Sequence, residues 1–588
     1  MKQNLRNQLL KKSVAVLSAF LLLGQLSFSQ TKIDKIDELI STYAEYGKFN
    51  GSVLVSEQGK VIYKKGFGMA NMEWEIQNQP NTKHRLGSIT KQFTAMLILQ
   101  LVAEGKLDLH EPISTYLTDY PKNTGHIITT HHLLTHTSGI PNYTAFPDFF
   151  RDKARNSYTP EEFVKEFSDK ELDFTPGERF SYSNSGYFLL GVIIEKLSGK
   201  SYEQALQDNI FSPLNMNDSG YDNHADILKN RATGYDKNGM TYRNSGYIDM
   251  SIPYAAGSLY STVEDLYKWD QALYTNTLVS EKYMKLFFKP YVSAFGNSHY
   301  AYGWGVGKQQ IGKSTDSIYT IGHGGGIHGF NTNISRAPSD KSVIVLLSNT
   351  GRAPLNSMTR AIRGIMHNKE FDMPKKSVAY ELFSVIDEKG IQKSIAHYES
   401  IKDSENYELI ESEMNSIGYQ LLSSDRVEAA AKVFKLNVDA FPKSSNVYDS
   451  YGEALMKLGK NDLAIENYKT SVELNPNNHN GIATLKKLGA DVSMYVNDVV
   501  VSDETLALYL GKYELMPEFI ITITKDGNQL KAQATGQPVF DIFPKSENVF
   551  YLKVVKAQLT FNKNSKGVVD SVTLLQGGRE LTGKRIEE

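Results

Sequence analysis

Residues 86–93, LGSITKQF, place a serine hydroxyl and a lysine amine three positions apart at the start of a predicted helix. The apolar residues that follow recur with a helical period, so Ser88 and Lys91 share one face of that helix. A serine hydroxyl is a poor nucleophile until a base removes its proton, and an amine can be that base when burial lowers its pKa. The stretch therefore predicts a nucleophile, Ser88, with Lys91 as its partner in proton transfer.

Tyr182 and Asn184 supply a phenol and an amide two positions apart. In an extended or looped segment, residues at this spacing point to the same side and can reach one pocket. A tyrosinate near cations is a workable general base, although a tyrosine is more often a half-buried packing residue. The Y-x-N pattern makes Tyr182 a candidate catalytic residue.

A run of glycines, residues 322–326 (GHGGG), follows a predicted strand at residues 318–321. A predicted hairpin comes next, with strands at residues 331–336 and 342–348. Consecutive glycines let a substrate approach backbone N–H groups, which can donate to a developing oxyanion. The alternative for a glycine run alone is a flexible turn.

The sequence around these three motifs is more specific than the motifs themselves. The matching words are residues 86–93 (LGSITKQF), 133–139 (LLTHTSG), 176–187 (PGERFSYSNSGY), 256–262 (AGSLYST), 302–305 (YGWG) and 322–326 (GHGGG). They resemble the serine β-lactamase and penicillin-binding-protein superfamily, and most closely its class C branch with D,D-peptidases and esterases of the same fold. The resemblance covers about residues 33–367. It implies an α/β (α+β) catalytic domain in which helices flank an antiparallel sheet.

The same resemblance implies acyl transfer through an acyl-enzyme, without a metal or an organic cofactor. Ser88 is acylated, and Lys91 and Tyr182 exchange its proton. The remaining roles fall to backbone and side-chain groups nearby: Asn184, His323 and Gly325 bind substrate, and the N–H groups of Ser88 and Gly326 form the oxyanion hole. The implied substrates are small molecules or peptides, namely D-amino-acid peptides, cell-wall stem peptides, small esters and, less readily, β-lactams.

His323 departs from the β-lactamase form of the third motif, which usually carries Lys before Thr-Gly. Esterase-like and peptidase-like relatives often show His here. Losing a permanent cation weakens the binding of the carboxylate of β-lactam antibiotics. The extra glutamate motif of class A enzymes is not evident either. We therefore expect a D,D-peptidase or esterase type of activity rather than a true β-lactamase.

The composition excludes several other classes of chemistry. The chain has 588 residues, no cysteine and a net charge of −2. Its length predicts roughly three or four folded units. The lack of cysteine excludes disulfides, thiolate nucleophiles and Cys-ligated zinc, and the balanced charge gives no reason to expect a nucleic acid as partner.

The N-terminus has the pattern of a secretory signal peptide, residues 1–29. Basic residues precede an apolar run at residues 14–26, and Ser27 and Ser29 stand at the −3 and −1 positions of a cleavage site before Gln30. The run is too short to cross a bilayer comfortably, and no later stretch reaches the roughly 18 apolar residues that a spanning helix needs. We expect an exported protein, periplasmic or extracellular, with no stable membrane span. An uncleaved anchor is the alternative.

Residues 411–488 repeat on themselves with a period of 34. The matched pairs are Gly418 and Gly452, Ala430 and Ala464, Phe434 and Tyr468, and Pro442 and Pro476. This pattern resembles the tetratricopeptide repeat, whose helical pairs stack to bury their faces. We predict a hydrolase domain at residues 30–370, followed at residues 371–490 by a helical linker and repeats that can bind a protein partner.

Short alternating runs between residues 498 and 588 predict a small all-β domain. Five strands are predicted, at residues 520–524, 529–534, 550–554, 559–561 and 568–575. Asp526 and Gly527 form a hairpin turn between the first two. Nothing in this segment suggests catalysis, so we expect a packing or binding role.

Three alternatives compete with this interpretation. HGGG at residues 323–326 also spells the oxyanion motif of α/β-hydrolase lipases, but the chain has no G-x-S-x-G elbow. His131, His132 and His136 form a cluster in which the last two, as a helical pair, could hold zinc; because His136 lies inside a family word, we interpret the cluster as structural. The third alternative is a catalytically slow or inactive penicillin-binding-like protein that binds peptide or protein partners through its repeats.

Overall fold

The computed structural model describes residues 31–147, 149–238, 241–492, 495, 501–552, 554–555, 557–576 and 579–586. The predicted signal peptide, residues 1–29, lies outside them. The chain divides into two compact units. The first extends to Ser384 and includes Ala396–Glu408, and the second comprises Val385–Ile395 and Leu409–Glu588.

An eight-stranded antiparallel sheet forms the centre of the first unit. Its strands are β1 (Gly51–Glu57), β2 (Lys60–Phe67), β3 (Val292–Ala294), β4 (Ser298–Tyr300), β5 (Gly305–Gln310), β6 (Ser317–Ile327), β7 (Phe330–Ala337) and β8 (Ser342–Ser348). They lie in the order β3-β4-β5-β6-β7-β8-β1-β2. In chain order, β1 is the first strand of the sheet and β8 is the last. The two are neighbours in the interior of the sheet.

Helices cover both faces of this sheet because its central strands are apolar on both sides. Five helices form the two layers: α1 (Lys32–Glu45), α2 (Thr90–Ala103), α3 (Asn184–Ser198), α4 (Val263–Ala272) and α5 (Leu355–Met366). All seven residues of β8 are buried, and alternate side chains join different cores. Val345 packs in the core that contains α2, α3 and α4, whereas Ile344 packs in the core that contains α1 and α5. Each such side chain contributes about 1.5–3 kcal/mol when buried.

Short elements connect the main ones in the first unit. The shorter helices are Lys122–Gly125, Thr130–Leu134, Pro160–Ser168, Tyr202–Leu206, Tyr254–Gly257 and Glu281–Phe287. Small sheets are formed by Met69–Asn71 with Ile76–Gln77, by His84–Arg85, Leu259–Ser261 and Gly220–Tyr221, and by Tyr235–Asn238 with Thr241–Asn244. The predicted fold class, an antiparallel sheet flanked by helices, is confirmed.

The helical repeats of the second unit are two antiparallel pairs and a further helix. They are α6 (Glu411–Ser423), α7 (Val427–Ala440), α8 (Ser445–Lys457), α9 (Asn461–Leu474) and α10 (His479–Lys487). A Cβ at Gly418 would lie 2.4 Å from the ring of Phe434, and one at Gly452 would lie 3.0 Å from the ring of Tyr468. The 34-residue period therefore reflects one packing contact, a glycine on the first helix of each pair against an aromatic ring on the second.

The C-terminal strands close into a barrel. They are β9 (Gly511–Met516), β10 (Phe519–Asp526), β11 (Gln529–Ala534), β12 (Val539–Pro544), β13 (Val549–Leu552), β14 (Ala557–Lys563), β15 (Val569–Gln576) and β16 (Arg579–Ile586). The five strands and the turn predicted from the sequence are present. The sequence missed β9, β12 and β16; in β16 most side chains are exposed, so it lacks a clear apolar alternation.

Among the residues that the structure describes, no helix is both long and apolar enough to cross a membrane.

The end of the first unit returns to its beginning. Lys376–Ser377 pairs in parallel with Tyr407–Glu408, Lys48 forms an ion pair with Glu408, and the Lys48 amine donates to the backbone oxygen of Lys375 at 2.8 Å. Each of these contacts involves at least one residue after residue 370, the predicted end of the hydrolase domain. That boundary stays a prediction, but a protein cut there loses all three contacts.

We expect a protein ending after His367 to keep ester hydrolysis and one ending after Glu408 to be more stable. If the lost contacts are worth about 1 kcal/mol, the shorter protein should unfold about 2 °C lower. Thermal unfolding and hydrolysis of a p-nitrophenyl ester measure the two effects. A folded protein without activity at either length would show that the C-terminal modules complete the site.

Candidate active site

Ser88 lies in a single turn of 3-10 helix, Gly87–Ile89, that leads directly into α2. The residue before it, Gly87, has a φ of +55°, and a Cβ there would lie 2.9 Å from the backbone nitrogen of Gly326. Only glycine tolerates this conformation together with so close an approach. The turn is therefore held against β6, and it leaves Ser88 half-buried, as an accessible nucleophile must be.

Lys91 is fully buried, and its amine contacts three oxygen atoms. Its Nζ lies 3.1 Å from Ser88 Oγ, 2.8 Å from Asn184 Oδ1 and 2.8 Å from the backbone oxygen of Ala256. Burial holds the pKa of Lys91 well below its usual value. The environment thus favours the neutral amine.

The neutral form of Lys91 fits these contacts as a base. A neutral amine has two N–H groups and one lone pair, and amide or carbonyl oxygens can only accept hydrogen bonds. The oxygens of Asn184 and Ala256 therefore take the two N–H groups, and the lone pair remains for the Ser88 hydroxyl. In this state Lys91 can remove the serine proton directly.

The hydroxyl of Tyr182 is buried, and the Ser88 hydroxyl is its polar neighbour. Burial raises the pKa of Tyr182, and the Ser88 hydroxyl opposes that shift only in part. The free protein therefore holds Tyr182 as a neutral phenol, which differs from the tyrosinate base considered from the sequence. A neutral phenol can donate its proton before it can accept one.

Asn184 is the first residue of α3, so the Y-x-N segment runs from a loop into a helix rather than staying extended. Its Oδ1 accepts from Lys91, and its Nδ2 donates to Asn142 Oδ1 at 3.2 Å. The side chain thus connects the lysine to the loop that carries Asn142. Substrate binding by Asn184 stays a prediction.

The glycine run lies within β6 and is not a flexible turn after a strand. From His323 to Gly326 it pairs with β7, whereas β5 pairs only with residues 317–322 of β6. Residues 323–327 therefore have no strand partner on the β5 side in the described structure. A Cβ at Gly325 would lie 1.9 Å from the backbone oxygen of Leu86, so glycine is required for the serine turn to pack here.

Gly326 offers an open backbone beside the nucleophile. A Cβ added to it would meet no atom within 4 Å, although its nitrogen is close to Gly87. Gly326 is exposed, so a substrate can approach its backbone. The oxyanion hole of Ser88 and Gly326, and the substrate contact of Gly325, stay predictions that this arrangement supports.

His323 is held as a neutral ring by two internal contacts. Its Nδ1 lies 2.6 Å from the backbone oxygen of Gly324, and its Nε2 lies 2.9 Å from the hydroxyl of Tyr300. Because a carbonyl only accepts, Nδ1 carries the hydrogen and Tyr300 donates to Nε2. Burial and the neighbouring Lys91 lower the pKa of His323 to about 4. The third motif therefore supplies no cation near neutral pH.

His136 supports Tyr182 from behind, a role that the sequence did not reveal. Its ring centroid lies 4.1 Å from that of Tyr182, and its Nδ1 accepts the backbone N–H of Ser183 at 3.1 Å. Its φ of +58° turns the LLTHTSG segment so that the ring reaches this loop. His136 is therefore a positioning residue for the Tyr182 loop.

The other two histidines of the predicted cluster have separate partners. His131 Nδ1 lies 2.8 Å from the hydroxyl of Tyr302, and His132 Nδ1 accepts the backbone N–H of Thr129 at 3.2 Å. The helix that carries them ends at Leu134, so His132 and His136 are not a helical pair. Within the described chain, no group of three or more His, Asp or Glu side chains is arranged to hold a metal.

Comparisons with known families agree with this arrangement of elements. A family model described as Beta-lactamase matches residues 36–365, a Tetratricopeptide repeat model matches residues 445–478, and a Domain of unknown function (DUF3471) matches residues 499–585. The first model covers more than half of the chain.

Individual proteins give the same result. The protein named "Putative penicillin-binding protein PbpX" of Bacillus subtilis (strain 168) is 32% identical over 55% of this chain and 76% of its own length. Protein flp of Staphylococcus aureus (strain MRSA252) is 27% identical over 54% of this chain and 62% of its own length. The crystal structure of D-amino acid amidase from Ochrobactrum anthropi SV3 is 26% identical and covers 57% of this chain and 98% of the amidase, with a TM-score of 0.50.

We expect the rate of Ser88 acylation to fall as the pH is lowered, because a proton on Lys91 removes the base. Because the pKa of Lys91 is lowered, the rate should fall only at a pH below the usual pKa of lysine. Because the pKa of Tyr182 is raised, any fall of the rate in alkaline solution should come at a pH above the usual pKa of tyrosine. Acylation by a p-nitrophenyl ester between about pH 5 and 10 measures the profile. A rate that falls as the pH is raised from about 7 to 9 would contradict this assignment.

Tyr182→Phe should lower acylation by an amide substrate about 10²-fold or more, since proton transfer by a positioned group typically contributes that factor. Tyr187→Phe is the matched control: it removes a hydroxyl that donates to the backbone oxygen of Leu134 at 2.9 Å and keeps the ring whose centroid lies 5.5 Å from Lys91 Nζ. Single-turnover rates compare the two variants. Near-normal rates for Tyr182→Phe would remove this residue from proton transfer.

Proposed function

The chain belongs to the Beta-lactamase family of serine hydrolases, and we propose that it is an exported enzyme that cleaves amide or ester bonds through an acyl-enzyme on Ser88. The observation that carries the proposal is the contact of Lys91 with Ser88, in which a buried amine with both N–H groups engaged faces the serine hydroxyl at 3.1 Å.

The proposed reaction has two halves. Lys91 takes the Ser88 proton while Oγ attacks the substrate carbonyl, and the N–H groups of Ser88 and Gly326 bind the resulting oxyanion. The intermediate collapses to the acyl-enzyme, and the leaving group departs with a proton from the Tyr182 phenol. The protonated Lys91 then gives a proton back to Tyr182. Water then hydrolyses the ester by the reverse sequence of proton transfers and restores Ser88.

We favour D-amino-acid peptides, cell-wall stem peptides and small esters as substrates. The similar D-amino acid amidase and the penicillin-binding protein relative support this choice. β-Lactams are poorer candidates because their carboxylate needs a cation at the third motif, and both nitrogens of the neutral His323 are engaged internally.

A second function is proposed for the helical repeats, which match the tetratricopeptide family and suit contact with a protein partner. If the hydrolase domain is slow or inactive, peptide or protein binding would be the main activity. Export to the periplasm or the cell exterior rests on the sequence pattern of residues 1–29 alone.

The direct test is the intact mass of the mature protein and of Ser88→Ala after brief exposure to a p-nitrophenyl ester or a penicillin. We expect an adduct on the wild type only, with the ester adduct forming faster than the penicillin adduct. The adduct lifetimes separate esterase, peptidase-like and β-lactamase behaviour. No adduct together with no ester turnover would favour the binding-protein alternative.

A further inference from the structure

An exposed phenylalanine lies beside Tyr182. Phe295 occupies the turn between β3 and β4 and is 65% exposed. Its ring centroid lies 5.3 Å from that of Phe180, in an edge-to-face arrangement, and 6.4 Å from that of Tyr182. Phe180 is half-buried in the segment that leads to Tyr182. The two phenylalanines, which we call the aromatic rim, therefore form an apolar surface next to the Tyr182 ring.

The backbone conformation at Phe295 is unfavourable for a bulky side chain. Its φ is +48°, in the left-handed region, and Gly296 follows with a φ of +73°. Glycine or asparagine adopts this conformation more readily than phenylalanine does. The fold gains little in return, because a ring that is mostly exposed contributes little of the free energy that burial supplies. A bound group that covers the ring would offset the cost, so Phe295 is a candidate for contact with substrate.

Open space connects the aromatic rim to the proposed oxyanion hole. Phe295 lines a cavity of about 490 Å³ that also reaches His323 and Gly324. Gly324 lies on β6 two residues before Gly326, the proposed oxyanion donor. In the proposed mechanism Tyr182 protonates the leaving group, so the leaving atom must come within hydrogen-bonding distance of the phenol. A substituent on that atom therefore has the aromatic rim within reach.

We propose that the aromatic rim is a subsite for the leaving group and that it selects esters of alcohols that carry an aromatic ring. The inference rests on the proposed hydrolysis at Ser88 and names its substrate class. Aromatic rings pair edge to face or offset-stacked at centroid distances of about 4.5–7 Å, and an exposed ring such as Phe295 is open to a partner of this kind. An uncharged leaving group also suits the neutral His323, which offers it no cation.

Two acetate esters isolate the effect of the leaving group. With benzyl acetate, Lys91 takes the Ser88 proton and Oγ bonds to the acetyl carbon. The bond from that carbon to the benzyl oxygen then breaks, Tyr182 protonates this oxygen, and the protonated Lys91 returns a proton to Tyr182. The products are acetyl-Ser88 and benzyl alcohol. Because 2-methoxyethyl acetate gives the same acetyl-enzyme and releases a non-aromatic alcohol of similar acidity, any difference between the two esters arises in acylation.

The wild type should show a kcat/KM about tenfold higher for benzyl acetate than for 2-methoxyethyl acetate. Phe295→Ala should reduce this ratio about fivefold to tenfold, since it removes the aromatic pair and the apolar area that the benzyl ring covers. Phe295→Tyr keeps the ring and should keep most of the ratio. The exposed position of Phe295 allows all of these variants to fold, which thermal unfolding checks. A ratio that Phe295→Ala leaves unchanged would refute the subsite.

Trp74→Ala is the matched control. It removes an equally bulky, exposed aromatic side chain from the turn between the short strands Met69–Asn71 and Ile76–Gln77. This variant should keep the wild-type ratio, and the rate of deacetylation should be the same in all of these proteins. An equal loss of the ratio in Trp74→Ala and Phe295→Ala would indicate non-specific adsorption of the benzyl ester and overturn the assignment to Phe295.

Binding to Ser88→Ala separates this inference from the proposed function. In an NMR titration, Ser88→Ala should bind benzyl acetate about fivefold more tightly than the double variant that also carries Phe295→Ala. If neither ester is hydrolysed but this difference is present, the hydrolase proposal fails and the aromatic subsite stands. If both esters are hydrolysed at similar rates and the double variant binds benzyl acetate equally well, the hydrolase proposal stands and the aromatic subsite is refuted.

Discussion

The contact between Lys91 and its three oxygen neighbours determines the rest of the site. A buried lysine is costly as a cation, because no solvent stabilises the charge and none of its neighbours is a carboxylate. Burial therefore favours the neutral amine, and a neutral amine can act as a base. Because Ala256 and Asn184 occupy both N–H groups, the lone pair is directed at Ser88. The same burial that opposes the charge therefore creates the catalytic group.

That contact requires several distant segments to meet. The turn before α2 can approach β6 only because Gly87 and Gly325 lack side chains. Asn184 reaches Lys91 because α3 begins at this residue, and His136 supports the loop just before it. Tyr254–Gly257 contributes the carbonyl of Ala256. These segments are far apart in sequence, so the active site depends on the whole packed domain rather than on any single motif.

Much of this was accessible from the sequence, and the limits have physical causes. The sequence predicted well the elements that depend on local periodicity or on a repeated contact. These are the helix after Ser88, the strand that carries the glycine run, and the 34-residue helical repeats. Tyr300 and His136 were missed because their roles arise from packing between remote segments, which no spacing encodes. The protonation preference of Tyr182 could not be predicted either: the motif allowed a tyrosinate base, and burial raises the pKa of the phenol. Burial is a property of the folded chain and could not be read from a three-residue motif.

The pKa shifts around Ser88 share one direction, toward the neutral form. Lys91, His136 and His323 have lowered pKa values and Tyr182 has a raised one, and burial is the largest cause in each case. A site without formal charges in its resting state has little electrostatic attraction for a neutral ester or amide. Charge develops only when Ser88 attacks, and it develops where backbone N–H groups can meet it and where Lys91 becomes a cation beside it. The arrangement therefore stabilises the transition state more than the bound substrate, which is the condition for catalysis rather than for tight binding.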